Sequence, residues 1–194
     1  MNTKRKYAAV KPGDIFTTNN AGQCIVQSVE GTGTSRSICT VQFIDTGYCR
    51  TVRVSELRNG TVRDPYAKTV LGIGYLGEGP YKNHEVSYNA WRSMLERCYG
   101  SRQVENYTLM TVDPVWHNYQ VFAAWFNKHY KAGYQLDKDL KRSDSNSYGP
   151  DTCLYVPRAI NYAEATLRSA LNDAPELAIV YKTFVTTVIA LYDA

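Results

Sequence analysis

Residues 136–161, LDKDLKRSDSNSYGPDTCLYVPRAIN, decide the fold of the second half of the chain. The apolar residues at the start predict a strand, and a polar loop of about ten residues follows it. A turn at residues 148–150 then leads into a second apolar run, which predicts a second strand. Pro157 suits the first position of a helix that we expect from Arg158 to about Ala170. The stretch therefore predicts a ββα unit.

This unit and the chain before it resemble a family of phage and mobile-element proteins related to HNH homing endonucleases. The resemblance runs from about residue 70 to residue 161. The block at residues 41–66 also resembles the small β domain that often precedes this core. The residues that carry the main resemblance are, in order, GIGYLGEGPY at 72–81, Tyr88, Trp91, Met94-Leu95, Arg97-Cys98-Tyr99, Val115-Trp116, Phe122, Trp125-Phe126, LDKD at 136–139, YGP at 148–150, Thr152-Cys153, Val156-Pro157 and Ile160-Asn161.

The resemblance implies a vestigial metal site in the ββα unit. In HNH nucleases the first strand supplies an Asp or His ligand, the next residue is a His that deprotonates water, and the helix supplies a second ligand. Here those places fall on Asp137, Lys138 and Asn161. A lysine at its usual pKa is protonated at neutral pH and cannot take a proton from water. Thr152 is a second departure, since the family has an Asn there that braces the loop.

Two functions from different classes remain open. In the first, the chain is a sequence-specific DNA-binding protein derived from a homing endonuclease, and a transcriptional repressor of a phage or phage satellite is the most economical form. It needs no cofactor, and Lys138 would sit on a DNA phosphate in place of the metal. A structural or protein-interaction role is a third, plainer possibility.

The alternative is an active metal-dependent HNH-type endonuclease or nickase. Asp137 and Asn161 would then hold Mg²⁺, with Asp139 and Asp144 as further oxygen ligands. A general base contributes on the order of 10²–10⁴ in rate. Its loss at Lys138 argues against this alternative unless another residue replaces it. The candidates for that replacement are His117 and His129, whose plainer role is at the surface or at a helix end.

Positive charge is concentrated in the first third of the chain. The net charge of the 194 residues is +4, but residues 1–68 hold ten Lys and Arg against five Asp and Glu, a net of +5. Residues 69–194 hold twelve against thirteen, a net of −1. A basic patch indicates contact with phosphate, although the same residues could simply keep a small domain soluble. The predicted contacts to double-stranded DNA are Lys4, Arg5, Lys6, Arg36, Arg50, Arg53 and Arg58, with Lys138, Lys141 and Arg142 from the ββα unit.

The pattern before residue 68 predicts short strands, and the pattern after it predicts mainly helices. Strands are expected at 14–17, 22–29, 38–44 and 48–54, separated by Gly- and Asn-containing turns. They predict a five-stranded, SH3-like barrel over about 12–62. Helices are expected at 88–99, with Ser87 as the cap, and at 119–130, 158–170 and 176–192. The expected class is α+β, with a small β domain at 1–68 and an HNH-like core at 69–194.

Composition and hydropathy indicate in which compartment the protein acts and whether it forms oligomers. We expect no membrane span, because no window approaches eighteen apolar residues, and the basic N-terminus lacks the apolar stretch of a secretory signal. Five widely spaced cysteines, none in a CxxC pair, are typical of reduced core thiols and argue against a zinc site. We therefore expect the cytoplasm of a bacterial host. The last helix is apolar on several faces, which predicts a homodimer suited to two DNA half-sites.

Overall fold

The fold was obtained as a computed structural model, which describes residues 8–101, 109–142 and 145–193. The chain forms two compact units that divide between Glu78 and Gly79. Both helices and strands contribute to the described residues, so the class is α+β as predicted.

The first unit is a four-stranded antiparallel sheet in sequential order. Its strands are β1 (Ile15–Thr17), β2 (Gln23–Glu30), β3 (Ile38–Phe43) and β4 (Cys49–Arg53). Alternate residues of each strand point to the same face, so Val26, Val41 and Val52 share the inner, buried face. Within about one residue at each end, these strands are the four that the sequence predicts.

The expected five-stranded barrel is not observed, because the sheet stays open and helix α1 (Val54–Arg58) follows β4 directly. The Glu56 carboxylate accepts a hydrogen bond of 2.9 Å from the main-chain N–H of Arg53, which satisfies a donor at the start of the helix. Val54 and Leu57 lie one helical turn apart and are both buried in the core of the unit. This spacing of three is helical, and sequence analysis took Val54 instead as the end of a strand.

The segment after residue 68 belongs to the first unit. The carboxylate of Glu78 accepts hydrogen bonds from the hydroxyls of Tyr48 (2.5 Å) and Tyr66 (3.4 Å). The N–H of Gly77 donates to the carbonyl of Pro65 at 2.8 Å. These contacts place the boundary ten residues later than the sequence predicts.

The described residues of the second unit form four α-helices and two short sheets. Its β5 and β7 pair in parallel, and β6 and β8 pair antiparallel. The bounds are α2 (Val86–Tyr99), β5 (Thr111–Val112), α3 (Tyr119–His129), β6 (Tyr134–Asp137), β7 (Ser147–Tyr148), β8 (Leu154–Pro157), α4 (Arg158–Ala170) and α5 (Ala178–Tyr192), with 3₁₀ turns at Pro114–His117 and Pro175–Leu177.

Aromatic side chains form the contact between α2 and α3. Trp91 is fully buried, and its indole N–H donates to the carbonyl of Trp116 at 2.6 Å. The predicted cap Ser87 is instead inside α2, which begins at Val86, and its hydroxyl lies 2.8 Å from that of Tyr119. Serine is a common helix cap, which is why the sequence predicts Ser87 there, but its hydroxyl instead forms a hydrogen bond with the buried Tyr119 hydroxyl.

The β6–β8 pair lies between two helical layers. Tyr155 of β8 packs on one side against the rings of Phe126 and Tyr130. Leu154 and Val156 point to the other side and form a core with residues of the two C-terminal helices, including Val188. Because α4 starts at Arg158, immediately after β8, the order β6, β8, α4 is a ββα arrangement.

Helix α5 uses only one of its faces in this core. Ile179 and Leu191 lie on the other face, 78% and 68% exposed. The segment Pro175–Tyr192 is long and apolar enough to cross a membrane by length and composition, which sequence analysis did not anticipate. Val188 is the buried residue of this segment, and Phe184, Val185 and Ile189 pack partly against the same core.

All five cysteines are free thiols, and all except Cys49 are buried. Burial raises the pKa of Cys98 to about 11 and that of Cys153 to about 12. A thiol with so high a pKa stays protonated at neutral pH and is a poor nucleophile. These two cysteines therefore pack as small apolar residues.

Candidate functional site

Asp137 ends β6, opposite Leu154, and is only 6% exposed. Its Oδ1 accepts hydrogen bonds from the main-chain N–H groups of Asp139 (2.9 Å) and Leu140 (2.8 Å). Burial, together with the charges of Asp139 and Glu164, raises the pKa of the carboxyl to about 6, although the two N–H donors oppose the shift. The side chain therefore holds the turn that follows β6.

Lys138 is directed into the protein. It is 8% exposed, forms an ion pair with Asp139, and donates to the carbonyl of Ser145 at 3.3 Å. The second carboxylate oxygen of Asp139 lies 3.2 Å from the guanidinium of Arg168. The Lys138 ammonium, which was expected to contact a DNA phosphate, thus forms its contacts within the second unit.

Asn161 lies on α4 above the same face of β6 as Asp137. Its amide donates to Oε1 of Gln135 at 3.0 Å, and Gln135 and Asp137 are alternate residues of one strand. Asn161 therefore contacts the face of β6 that also carries Asp137. Each side chain has its own protein partners there.

A second buried carboxylate connects α4 to α5. Glu164 is 1% exposed, accepts a hydrogen bond of 2.7 Å from the Tyr181 hydroxyl, and lies 3.3 Å from Nε of Arg168. Burial and this hydrogen bond raise the pKa of Tyr181. Arg168 bridges Glu164 to Asp139, so one chain of polar contacts runs from Lys138 to Tyr181. Sequence analysis missed this network, and its only local signal was the spacing of four between Glu164 and Arg168.

The two predicted Mg²⁺ ligands of the nuclease alternative have protein partners. The Oδ1 atom of Asp137 accepts two hydrogen bonds, and the amide nitrogen of Asn161 donates to Gln135. In the described residues there is no group of three or more His, Cys, Asp and Glu arranged to hold a metal, and Asp144 lies outside those residues.

The two histidines that could replace the missing base have local structural contacts. A ring nitrogen of His117 lies 3.0 Å from the carbonyl of Val112. A ring nitrogen of His129 lies 2.7 Å from the carbonyl of Trp125, on whose ring the imidazole is stacked. Each histidine therefore fastens a local turn or helix end.

Thr152 braces the loop before β8. Its hydroxyl donates to the carbonyl of Ser147 at 2.7 Å and lies 3.3 Å from that of Gly149. A threonine thus holds the two ends of this turn together.

The predicted DNA contacts fall into several groups. Lys4, Arg5 and Lys6 lie outside the described residues, and Arg142 is exposed near the end of a described segment. Like Lys138, three others donate to the protein: Arg50 to the carbonyl of Arg63 (2.7 Å), Lys141 to the carboxylate of Asp193 (2.7 Å), and Arg58 to the carbonyls of Ala8 and Gly33 and the hydroxyl of Ser35.

Arg36 and Arg53 are the exposed members of this set in the first unit. Neither guanidinium has a hydrogen bond or ion pair with a residue in the described part of the chain. Arg53 pairs with Ile38 across the sheet, and Arg36 precedes Ile38 by two residues. The two arginines therefore lie at the same end of the sheet.

Comparison with family models, with curated proteins and with solved structures finds no match. The likeness to HNH homing endonucleases therefore stays an expectation from sequence motifs. Function has to be argued from the side chains themselves.

Proposed function

We propose that this protein binds double-stranded DNA and acts as a sequence-specific transcriptional repressor of a phage or phage satellite, in the cytoplasm of a bacterial host. Asp137 and Lys138 both form contacts within the protein, and this observation favours a DNA-binding protein over a nuclease. The carboxylate holds two main-chain N–H groups and the ammonium is paired with Asp139. These contacts favour a structural role for both side chains over the activation of water.

We infer that β6, β8 and α4 correspond to the ββα unit of an ancestral HNH nuclease, and that the four-stranded sheet derives from an SH3-like domain. The strand order and the immediate start of α4 after β8 support the first correspondence. The polar residues at the ligand places then serve to fasten α4 and the β6 turn. In such a descendant, the former nuclease unit is a scaffold, and the affinity for DNA comes from other parts of the protein.

The proposed DNA surface is the end of the sheet that carries Arg36 and Arg53. Both guanidinium groups are exposed, and each can release one condensed counterion on meeting a phosphate. The net charge of +5 in residues 1–68 also supports DNA binding by the first unit. Lys138, Lys141, Arg50 and Arg58 leave the set of proposed direct contacts because each donates to protein groups.

Replacing Arg36 or Arg53 with alanine is expected to weaken DNA binding and to reduce the slope of log K against log salt by about one for each. Fluorescence anisotropy with a labelled duplex at several KCl concentrations measures this slope. Arg50→Ala is the matched control, because its guanidinium donates to the Arg63 carbonyl and its loss should leave the slope unchanged. Unchanged slopes for Arg36→Ala and Arg53→Ala would move the DNA surface away from this end of the sheet.

We also propose that the repressor is a homodimer associated through the outer face of α5. Ile179, Val180 and Leu191 are exposed there, and between them lie Thr183 and Thr187, whose hydroxyls donate to carbonyls of their own helix. These hydrogen bonds satisfy the hydroxyl donors of Thr183 and Thr187 within the helix. An isologous contact between two copies would bury this face and would match an operator of two half-sites.

Sedimentation velocity at tens of micromolar is expected to show a dimer, and the double substitution Ile179→Glu and Leu191→Glu should give a folded monomer. Two buried carboxylates per copy would oppose association. Lys182→Glu, on the same helix, is the matched control for added negative charge. A monomeric parent protein, or one that instead floats with lipid vesicles, would contradict the dimer.

A further inference from the structure

The loop between β2 and β3 is fixed at several points. The main-chain N–H of Val10 donates to the carbonyl of Gly33 at 3.0 Å. Gly33 has a φ of +70°, and a Cβ there would lie 2.3 Å from the carbonyl oxygen of Val10. Only glycine fits both the backbone conformation and the close approach. The loop is therefore held against the chain that enters β1.

Arg58, at the end of α1, connects the same pieces of chain. One terminal nitrogen donates to the hydroxyl of Ser35 at 3.2 Å. The other donates to the carbonyl of Ala8 and lies 3.4 Å from that of Gly33. A planar guanidinium can bridge several acceptors in this way, whereas the single ammonium of a lysine cannot reproduce the geometry.

Both sequence neighbours of Arg36 are held in place by hydrogen bonds. Ser35 is held by Arg58, and the carbonyl of Ser37 accepts a hydrogen bond of 3.0 Å from the N–H of Val54 at the start of α1. The N–H of Ser37 also donates to the carbonyl of Thr34 at 2.9 Å, which closes a turn around Arg36. The backbone of Arg36 is thus fixed while its side chain stays exposed.

We propose that Arg58 is a positioning residue that holds this loop so that Arg36 meets a phosphate of the DNA backbone beside the phosphate met by Arg53. The inference rests on the proposed DNA binding and assigns Arg58 a role inside the protein. The ligand is the phosphodiester itself, so the contact requires no particular base sequence. A preorganised loop lowers the entropy that Arg36 loses on binding.

A double-mutant cycle between Arg36 and Arg58 tests this assignment. The probe is a fluorescein-labelled duplex of arbitrary sequence, which reports phosphate contacts directly. Arg36→Ala and Arg58→Ala are each expected to weaken binding on the order of fivefold to tenfold. The double variant should bind about as weakly as either single variant, because Arg58 acts through Arg36. Arg53→Ala is the matched control and should combine additively with Arg58→Ala.

Arg58→Lys separates positioning from direct contact and covers the case in which Arg58→Ala fails to fold. It keeps the charge but cannot bridge the loop, so it should lose about as much affinity as the alanine variant. Parental affinity in Arg58→Lys, or full additivity between Arg36→Ala and Arg58→Ala, would overturn the positioning role while leaving DNA binding intact. Failure of the unaltered protein to bind any duplex would overturn DNA binding and, with it, this inference.

Discussion

Replacing Glu164 with alanine is expected to lower the free energy of unfolding of the second unit by about 3 kcal/mol. The carboxylate is 1% exposed and joins Arg168 of α4 to Tyr181 of α5. Its removal leaves the Tyr181 hydroxyl without its acceptor and Arg168 with only Asp139 as an anionic partner. The loss should therefore loosen the contact between α4 and α5.

Urea denaturation followed by tyrosine and tryptophan fluorescence measures this loss. Arg158→Ala is the matched control, because that residue is exposed on the same helix and its replacement should change stability by less than about 0.5 kcal/mol. In Tyr181→Phe, removal of Glu164 should cost less than it does in the parent, since the two groups interact directly. Equal effects of Glu164→Ala and Arg158→Ala would show that the network does not stabilise the fold.

Asp137→Asn is expected to raise stability by about 2 kcal/mol at pH 8, because the neutral amide avoids the cost of burying a charged carboxylate. Burial raises the pKa of Asp137 from 3.8 to about 6, so the folded state binds a proton more readily than the unfolded state. The stability that Asp137 contributes is then fully present below pH 3.8 and is lost as the pH rises through about 6. Two pKa units correspond to about 3 kcal/mol, from which we subtract about 1 kcal/mol for burial of the new amide group.

The difference in stability between Asp137→Asn and the parent should therefore shrink as the pH falls from 8 to 4.5. Asparagine keeps an oxygen that can accept from the N–H groups of Asp139 and Leu140. Asp137→Ala has no such oxygen and should be destabilised at every pH, by about 1–3 kcal/mol for each donor left unpaired. A stability difference for Asp137→Asn that does not vary between pH 4.5 and 8 would mean that Asp137 has an ordinary pKa in the folded protein.

Local sequence patterns predict most of the helices and strands because their signals lie within a few residues. Helix α4 occupies the predicted range, and the apolar residues Trp91, Met94 and Leu95 of α2 are buried as their spacing indicates. Helix α1 was missed because five residues give too short a period to distinguish from a strand end. Barrel closure was mispredicted because it depends on contacts between distant strands.

The metal site at Asp137 and Asn161 stays a prediction from motif order. The structure shows the partners of these side chains, which motif order does not give. The roles of Lys138 and Glu164 depend on Asp139 and on Arg168 and Tyr181, which reach them only through the packing of α4 and α5. No local pattern distinguishes a lysine that meets an inner carboxylate from one that meets a phosphate. Arg58 is a similar case, since its partner Ala8 lies fifty residues away in the sequence.

The proposed function implies that the ββα unit has the frame of a nuclease without nuclease chemistry. Its most direct test is to incubate the protein with supercoiled and linear genomic fragments of the host element in Mg²⁺ or Mn²⁺, and to recover the bound DNA for analysis on a denaturing gel. We expect the bound fragments to be recovered with both strands intact. We expect the same result for Lys138→His, because the residues at the predicted metal site form hydrogen bonds and ion pairs with other protein groups. Cutting or nicking by the unaltered protein that depends on the metal and disappears in Asp137→Asn would contradict this account and establish the nuclease.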